Sequence, residues 1–498
     1  MGERTRLGLG IVGVALALGG LGDALLRATP WGFNFLLWVA ALVGAAVLLV
    51  RTGLVRPEGE GRWLAVVALV FAAGVVLRDS PVVALLDVLA VIAALSLAVW
   101  RGRAGSLRRA GVSEYVLGGT YALALASAGP VPVSVTEIAW REVGRGRWKG
   151  QALAVSRGLL IAAPLVLVFG ALFVAADAVF ESLVRHTFGF DLAEVLDHLS
   201  LILLFAWISA GLLWAALMAR VPQNIGVRRP RRLSLGAVEV GVVLGLLDLL
   251  FFAFVVVQVR YLFGGSGRVA ATGLTYAEYA RRGFFELVTV AALALPLLLL
   301  VHWFLRVETR AQVRVFNVLA GAMVGLLFIV LASALQRMYL YEQEFGLTEL
   351  RLYTTIFMVW ISVVLVWFVL TVLRGLRERF AFGALVAGFT AVLAINAINP
   401  DAVIARTNIE RADHGHKLDV HYLATLSADA APVLIESLPE IGDRRVAPDY
   451  TLEQAVSDRW TRERTDWRTW NLGRSVAHRL AEARLDNPAG GSTRAGQR

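Results

Sequence analysis

Apolar runs long enough to cross a lipid bilayer recur along most of this chain. They lie at about Leu7–Leu26, Trp31–Val50, Trp63–Leu77, Val82–Trp100, Gly158–Phe180, Leu199–Met218, Gly236–Tyr261, Phe284–Leu305, Val315–Leu335, Leu352–Leu373 and Phe380–Ala397. A spanning helix needs about 20 apolar residues at a rise of about 1.5 Å each. The third, at roughly 15 residues, is the shortest of them. The pattern therefore predicts an all-α polytopic bundle of about eleven transmembrane helices. The first run follows Arg4 and Arg6, as a signal peptide would. A second run follows almost at once without a clear cleavage site, so the first is expected to remain as a helix.

Two stretches depart from the pattern. Tyr115–Trp140 is fairly apolar but broken by Gly129-Pro130-Val131-Pro132, with basic clusters on both sides. It is expected to be interfacial or re-entrant, because a full crossing would invert every later loop. After Asn399-Pro400 the charge density rises and spanning runs cease. There Ala402–Ala412, Leu418–Leu426, Ala430–Leu438, Leu452–Arg464 and Arg474–Arg484 read as short amphipathic helices, with Ser427 a cap before the third. The expected organisation is an N-terminal four-helix membrane region (1–114), an interfacial segment with a basic loop (115–157) and a core membrane bundle (158–399). A soluble helical segment (400–486) and a disordered tail (487–498) follow. No internal repeat suggests inverted halves.

Composition sharpens this picture. The chain is 58% hydrophobic and 17% charged, against about 25% charge in ordinary globular domains. Its mean hydropathy is +0.67. The formal charge of +10 does not indicate a nucleic-acid partner, because the arginines sit in short loops between apolar runs. There they anchor topology beside anionic headgroups. The rich loops hold Arg51/Arg56/Arg62, Arg101/Arg103/Arg108/Arg109, Arg141/Arg145/Arg147/Lys149, Arg228/Arg229/Arg231/Arg232, Arg306/Arg310/Arg314 and Arg374/Arg377/Arg379. That side is expected to be cytoplasmic, with the N-terminus inside and the C-terminal segment outside. The alanine-, glycine- and arginine-rich bias suggests a bacterial protein of the cytoplasmic (inner) membrane. Cysteine is absent, which excludes disulfides, thiolate catalysis and Cys-ligated metals.

Ionisable groups at bilayer depth are costly and usually face the bundle interior. Asp87, Asp248, Glu239 and His302 are the clearest cases. Asp248 shares a helical face with the GxxxG pair Gly241 and Gly245, which predicts a packed interface. It is either a coupling carboxylate or an interhelical hydrogen-bond anchor. Gly321 and Gly325 repeat the close-packing pattern.

A second group should gather near the outer membrane face. It comprises Gln258, Tyr261, Tyr276, Glu278, Arg281, Arg282, Glu286, Arg337, Tyr339, Tyr341, Glu342, Glu344, Arg351 and Asn399. Glu278/Arg282 and Arg282/Glu286 have pairing spacing, and Glu349 and Tyr353 share a face. These residues are either a mouth for an anionic or sugar-bearing ligand, with Arg281, Arg282 and Arg351 as anion clamps, or interfacial belts that fix helix ends. Asp401, Arg406, Asn408, Glu410 and Arg411 are expected to clasp the outer loops, with Arg406 and Glu410 spaced to pair. His414, His416 and His421, beside Asp413 and Asp419, are weak metal candidates. Their spacing fits no strong template, so no metal or other cofactor is expected. There is no Walker A loop, no GxGxxG following a strand and no GxSxG elbow.

Four stretches carry a resemblance: Glu239 to Gly265 (EVGVVLGLLDLLFFAFVVVQVRYLFGG), Leu274 to Leu287 (LTYAEYARRGFFEL), Arg337 to Trp360 (RMYLYEQEFGLTELRLYTTIFMVW) and Asn399 to Ala412 (NPDAVIARTNIERA). Asp466 to Ser475 is a weaker fifth. Together they resemble an uncharacterised family of bacterial polytopic membrane proteins, the domain of unknown function 4173/4153 type, over roughly residues 155–475. The resemblance implies a membrane helical bundle and no particular reaction. The leading expectation is a non-enzymatic envelope scaffold or signalling and sensing component, with the bilayer and a membrane or envelope protein as partners. A secondary transporter coupled through Asp248, Glu239 or His302, and an enzyme on a lipid-linked envelope substrate, are the alternatives.

Overall fold

A computed structural model describes residues 2–51, 61–101, 106–140, 192–219, 235–262, 284–305, 309–461 and 466–486, with isolated positions between 155 and 177. Among these, nine helices are long and apolar enough to cross a membrane. The chain is an all-α, multi-pass membrane protein. The run at Gly158–Phe180 lies largely outside the described residues.

Helices α1 (Glu3–Leu26), α2 (Phe33–Arg51), α3 (Gly61–Leu77) and α4 (Pro81–Arg101) pack in sequence as antiparallel neighbours. α3 is shorter than the rest, as its apolar run predicts. α6 (Leu192–Leu217) packs along α1, where glycine permits very close contact. A methyl group on Gly19 would collide with the backbone of Ile202, and one on Gly22 would meet the Phe205 ring. α7 (Ala237–Leu262), α8 (Phe284–Phe304), α9 (Arg310–Phe345), α10 (Glu349–Thr371) and α11 (Phe380–Ile398) build the second half. Its core is centred on Phe316, Met323, Leu327, Met358 and Phe368.

α5 (Val112–Ser127) starts beside the end of α4, where Arg101 donates to Glu114 at 2.9 Å. It reaches the middle of α6, where Trp207 Nε1 donates to the Ser127 carbonyl at 2.9 Å. The chain then turns back through Val133–Glu137 to the start of α1, where the Ala139 amide donates to Thr5 Oγ1 at 3.1 Å. Both ends of this segment thus lie on one face of the bundle. The described arginine-rich turns share that face: the 3-10 turn Leu107–Arg109 packs against the 3-10 turn Arg377–Arg379.

α9 runs 36 residues, about 54 Å at 1.5 Å per residue. The apolar pattern places its end near Leu335, yet the helix continues through Arg337–Phe345. Nothing in that stretch breaks a helix, and it stops only at Gly346, whose φ of +79° suits glycine.

The opposite face carries a helical cap formed by α12 (Pro400–Asp413), α13 (Val420–Thr425), α14 (Ala431–Ile441), α15 (Leu452–Thr461) and α16 (Leu472–Asp486). All five predicted C-terminal helices are present. A small antiparallel hairpin, β1 (Arg445–Ala447) and β2 (Tyr450–Thr451), was not foreseen. The cap has its own core around Ile404, Leu423, Leu434, Leu452 and Trp460.

Candidate functional site

The cap begins without a linker. Asn399 ends α11 in the left-handed region at φ +56° and caps α12, accepting from the Ala402 amide at 3.3 Å. Pro400 at the first helical position has no N–H to satisfy and a preset φ. This dipeptide turns a spanning helix into the first cap helix. It leaves Asp401 fully buried at the membrane face.

From Asp401 a network of side chains ties the cap to the bundle. Its carboxylate accepts from the Ser427 amide at 3.1 Å and from the Ser427 hydroxyl. Ser427 in turn caps Ala428–Ala430. Asp429, within that turn, accepts from the backbone amides of Asp79 and Ser80 at 2.8 and 3.0 Å. Asp79 reciprocates, accepting from the Ala428 amide at 3.1 Å and pairing with Arg474 at 2.6 Å. Asn471 donates to the carbonyls of Val75 and Arg78, both at 2.9 Å. Arg78 Nε donates to the Asn396 carbonyl at 2.6 Å, and Asn396 Nδ2 donates to Asp87 at 2.9 Å. Asn399 Nδ2 donates to the Asp429 carbonyl at 3.1 Å.

Glu349, at the start of α10, faces Asp401. The Glu349 amide donates to Tyr422 OH at 2.8 Å. Tyr353 OH lies 3.4 Å from Ser80 Oγ. Acidic and phenolic groups therefore gather where α4, α10, α12 and the Ser427–Ala430 turn meet. Burial pushes Asp429 up to about 6, opposed by the two backbone hydrogen bonds and Arg78 and assisted by Asp79. Burial also raises the Tyr422 phenol. One oxygen each of Asp401 and Asp429 is buried without a hydrogen-bond partner among the described residues.

The end of α9 forms a second tie. Asn408 accepts from the Leu347 amide and donates to the Leu347 carbonyl, both at 2.8 Å. Arg411 donates to the Gln343 carbonyl and Arg351 to the Gly346 carbonyl. Arg351 also stacks 4.1 Å from the Tyr341 ring centre, with Glu342 nearby. Arg351 is thus engaged by backbone and an aromatic ring. Desolvation lowers Arg411, partly offset by Glu344.

The remaining expected residues are dispersed. Gln258 is buried and accepts from Ser333 at 3.1 Å and Arg337 at 2.7 Å. Asp87 is buried as expected. Both oxygens of Asp248 are buried without a hydrogen-bond partner among the described residues. Glu239, expected inside the bundle, is exposed and instead accepts from the Gly236 amide at 2.9 Å. It stands at the start of α7, where a carboxylate satisfies free helix amides more cheaply than it could at bilayer depth. The Gly241–Gly245 pair also differs from expectation: a methyl on Gly245 would meet nothing within 4 Å among the described residues, and one on Gly241 only Val315 at 3.9 Å. The close approach occurs at Gly19 instead. Gly325 is likewise open and Gly321 meets only Leu373 at 3.8 Å.

Glu286, Glu344, Arg406 and Glu410 are exposed, and Arg406 and Glu410 do not pair with each other. His302 packs its ring 4.9 Å from that of Phe316. His414, His416 and His421 are exposed. Among the described residues no three His, Asp or Glu side chains are placed to hold a metal ion. Tyr276, Glu278, Arg281 and Arg282, and the side chain of Tyr261, lie outside the described residues.

Of the residues in this junction, the sequence singles out Asn399, Asp401, Asn408 and Arg411 but not Asp79, Ser80, Asn396, Asp429, Asn471 and Arg474. The available signal was slight. Asp79-Ser80-Pro81 is a helix-start pattern between two apolar runs, and Asn396 is an amide within an apolar run.

The sequence profile described as "Domain of unknown function (DUF4153)" matches residues 64–437. The chain belongs to this family. The match begins earlier than the resemblance at 155–475 and ends sooner. It includes Asp79, Ser80, Asp401 and Asp429, and leaves Asn471 and Arg474 beyond its end. No curated protein and no solved structure matches the chain.

Proposed function

We propose that this protein is a non-enzymatic scaffold or signalling and sensing component of a bacterial cytoplasmic membrane, with the arginine-rich face cytoplasmic and the cap outside. The observation that carries this reading is how the cap's polar groups are used. Asp401, Asp429, Asn399, Asn408 and Asn471 all bind backbone groups of other segments. A general acid or base must instead reach a substrate proton. The junction suits a device that holds an outer domain in a fixed relation to the spanning helices. Residues 115–140 fit the scheme as a re-entrant or interfacial piece on the cytoplasmic side, since residues 112–140 start and end on the arginine-rich face, while the basic loop expected over 141–157 lies almost wholly outside the described residues. A membrane or envelope protein is the expected partner, and the cap exposes Trp467, Leu472 and Leu485 to it.

A secondary transporter is the second reading, favoured by Asp248, whose buried oxygens have no hydrogen-bond partner among the described residues. Complementation of a strain lacking the gene separates the two. On the scaffold reading, Asp248→Asn restores the strain's phenotype and Arg474→Ala, which loosens the cap, does not. Restoration by Arg474→Ala together with failure of a well-expressed Asp248→Asn would replace the scaffold reading with transport.

A further inference from the structure

Where α2, α3, α4 and α6 meet at the arginine-rich face, small side chains leave a groove of about 360 Å³. Ala46, Ala65, Ala98 and Ala216 lie along it, and the large side chains at neighbouring positions do not fill the space. Along α2 the groove extends from Leu42 to Arg51, about 14 Å at 1.5 Å per residue. That is close to half the thickness of a bilayer's hydrocarbon core, about 30 Å in all. Its side is open to the membrane, for the lining residue Val47 is 46% exposed.

The groove has one polar end. Among the described residues, Arg51, in the last turn of α2, and Arg62, in the first turn of α3, are the charged residues of its lining, and both are exposed. Trp63 stands beside them, its ring centre 5.5 Å from the Arg62 guanidinium, and is 63% exposed. An exposed tryptophan next to arginines marks the headgroup level. Apolar space one leaflet deep, opening sideways to lipid and ending at two cations, has the chemistry of an anionic amphiphile.

We infer that this groove binds a phospholipid with an anionic headgroup from the leaflet on the arginine-rich side. One acyl chain lies between α2, α3, α4 and α6, and the phosphate sits between Arg51 and Arg62. The guanidinium forks suit phosphate oxygens. The bound lipid fills what is otherwise a packing defect at the inner end of the first helical group. This inference is independent of the proposed scaffold role, since the groove lies on the face away from the cap.

The test is native mass spectrometry and thermal unfolding of the detergent-purified full chain, titrated with phosphatidylglycerol or phosphatidylcholine of identical acyl composition. The expected result is one retained phosphatidylglycerol, a raised Tm and a preference of roughly tenfold over phosphatidylcholine. Arg51→Gln with Arg62→Gln should bring the two lipids to equal affinity, and Ala65→Leu with Ala216→Leu should abolish retention of both. Should either variant fail to fold, about 1 M salt applied to the unaltered protein should shrink the preference by screening. Equal affinity of the unaltered protein for the two lipids would overturn the proposal. So would undiminished retention by the groove-filling variant, or a preference indifferent to both salt and the arginine substitutions.

Discussion

The carboxylate of Asp79 meets the guanidinium of Arg474 at 2.6 Å across 395 positions of sequence. Both side chains are largely shielded from solvent. Around this pair, backbone groups of the α3–α4 turn bind Asp429 on one side and Asn471 on the other. The cap-side end of the first helical group and residues 466–486 are therefore one structural unit.

Breaking the pair should loosen the cap. Removing one partner of a shielded, hydrogen-bonded ion pair costs about 3 kcal/mol or more, chiefly because the other charge is stranded. Arg474→Ala is expected to leave the spanning helices folded while protease cuts the cap faster. Arg474→Lys should recover only part of the loss, since Arg474 also donates to the Thr469 carbonyl at 2.5 Å with its second terminal nitrogen. Limited proteolysis in detergent reads both effects.

Docking of the cap should depend on pH through Asp429. Burial raises this acid from 3.8 to about 6 in the docked state, so docking favours the protonated form. A group raised on docking contributes fully below its undocked value and loses that contribution as pH rises through its docked value. Cap docking should therefore strengthen between about pH 7 and pH 4 wherever Asp429 dominates. The neutral acid can still accept from the Asp79 and Ser80 amides through one oxygen. Hydrogen exchange at the start of α4 should slow as pH falls, after correction for intrinsic rates. Asp429→Asn should flatten this dependence, and a dependence of opposite sign would assign it to other groups.

Close approach of α1 and α6 depends on the absence of a side chain at Gly19. Gly19→Ala would place a methyl 2.8 Å from the Ala206 Cβ and closer still to the Ile202 carbonyl. Overpacking of this kind costs about 1–3 kcal/mol. Gly20→Ala, which meets nothing within 4 Å among the described residues, is the control. Thermal unfolding in detergent should fall for the first and stay level for the second.

Gly74 plays a similar part inside the membrane region. A methyl there would strike the Asp87 carboxylate, which Asn396 holds at 2.9 Å. Gly74→Ala should lower the yield of monodisperse protein. Asp87→Asn should be milder, because an amide can still bond Asn396.

Most of the fold is legible in the sequence because lipid imposes a coarse rule: a run of the right length and polarity must be a helix. The spans α1–α4 and α6–α11 follow from that rule, and the cap helices follow from their amphipathic periodicity. The cap junction is far less legible. Asp79, Asp429, Asn471 and Arg474 each resemble ordinary polar loop residues, and their partners stand hundreds of positions away. Gly19 was overlooked because its chain segment, VALALGGLG, lacks the spacing that drew attention to Gly241 and Gly245. Glu239 misled because a carboxylate at the edge of an apolar run can lie inside the membrane or at a helix start. Only the backbone around Gly236 decides between them.

The central claim is that the cap sits outside the cytoplasm, clamped on the face opposite the arginine-rich loops. The absence of cysteine makes any introduced thiol unique. Glu440→Cys places one on the exposed cap surface, and Glu378→Cys places one among the arginine-rich turns. In intact spheroplasts a membrane-impermeant maleimide should label the first and spare the second until the membrane is lysed. Labelling of Glu378→Cys with protection of Glu440→Cys would invert the protein and contradict the account.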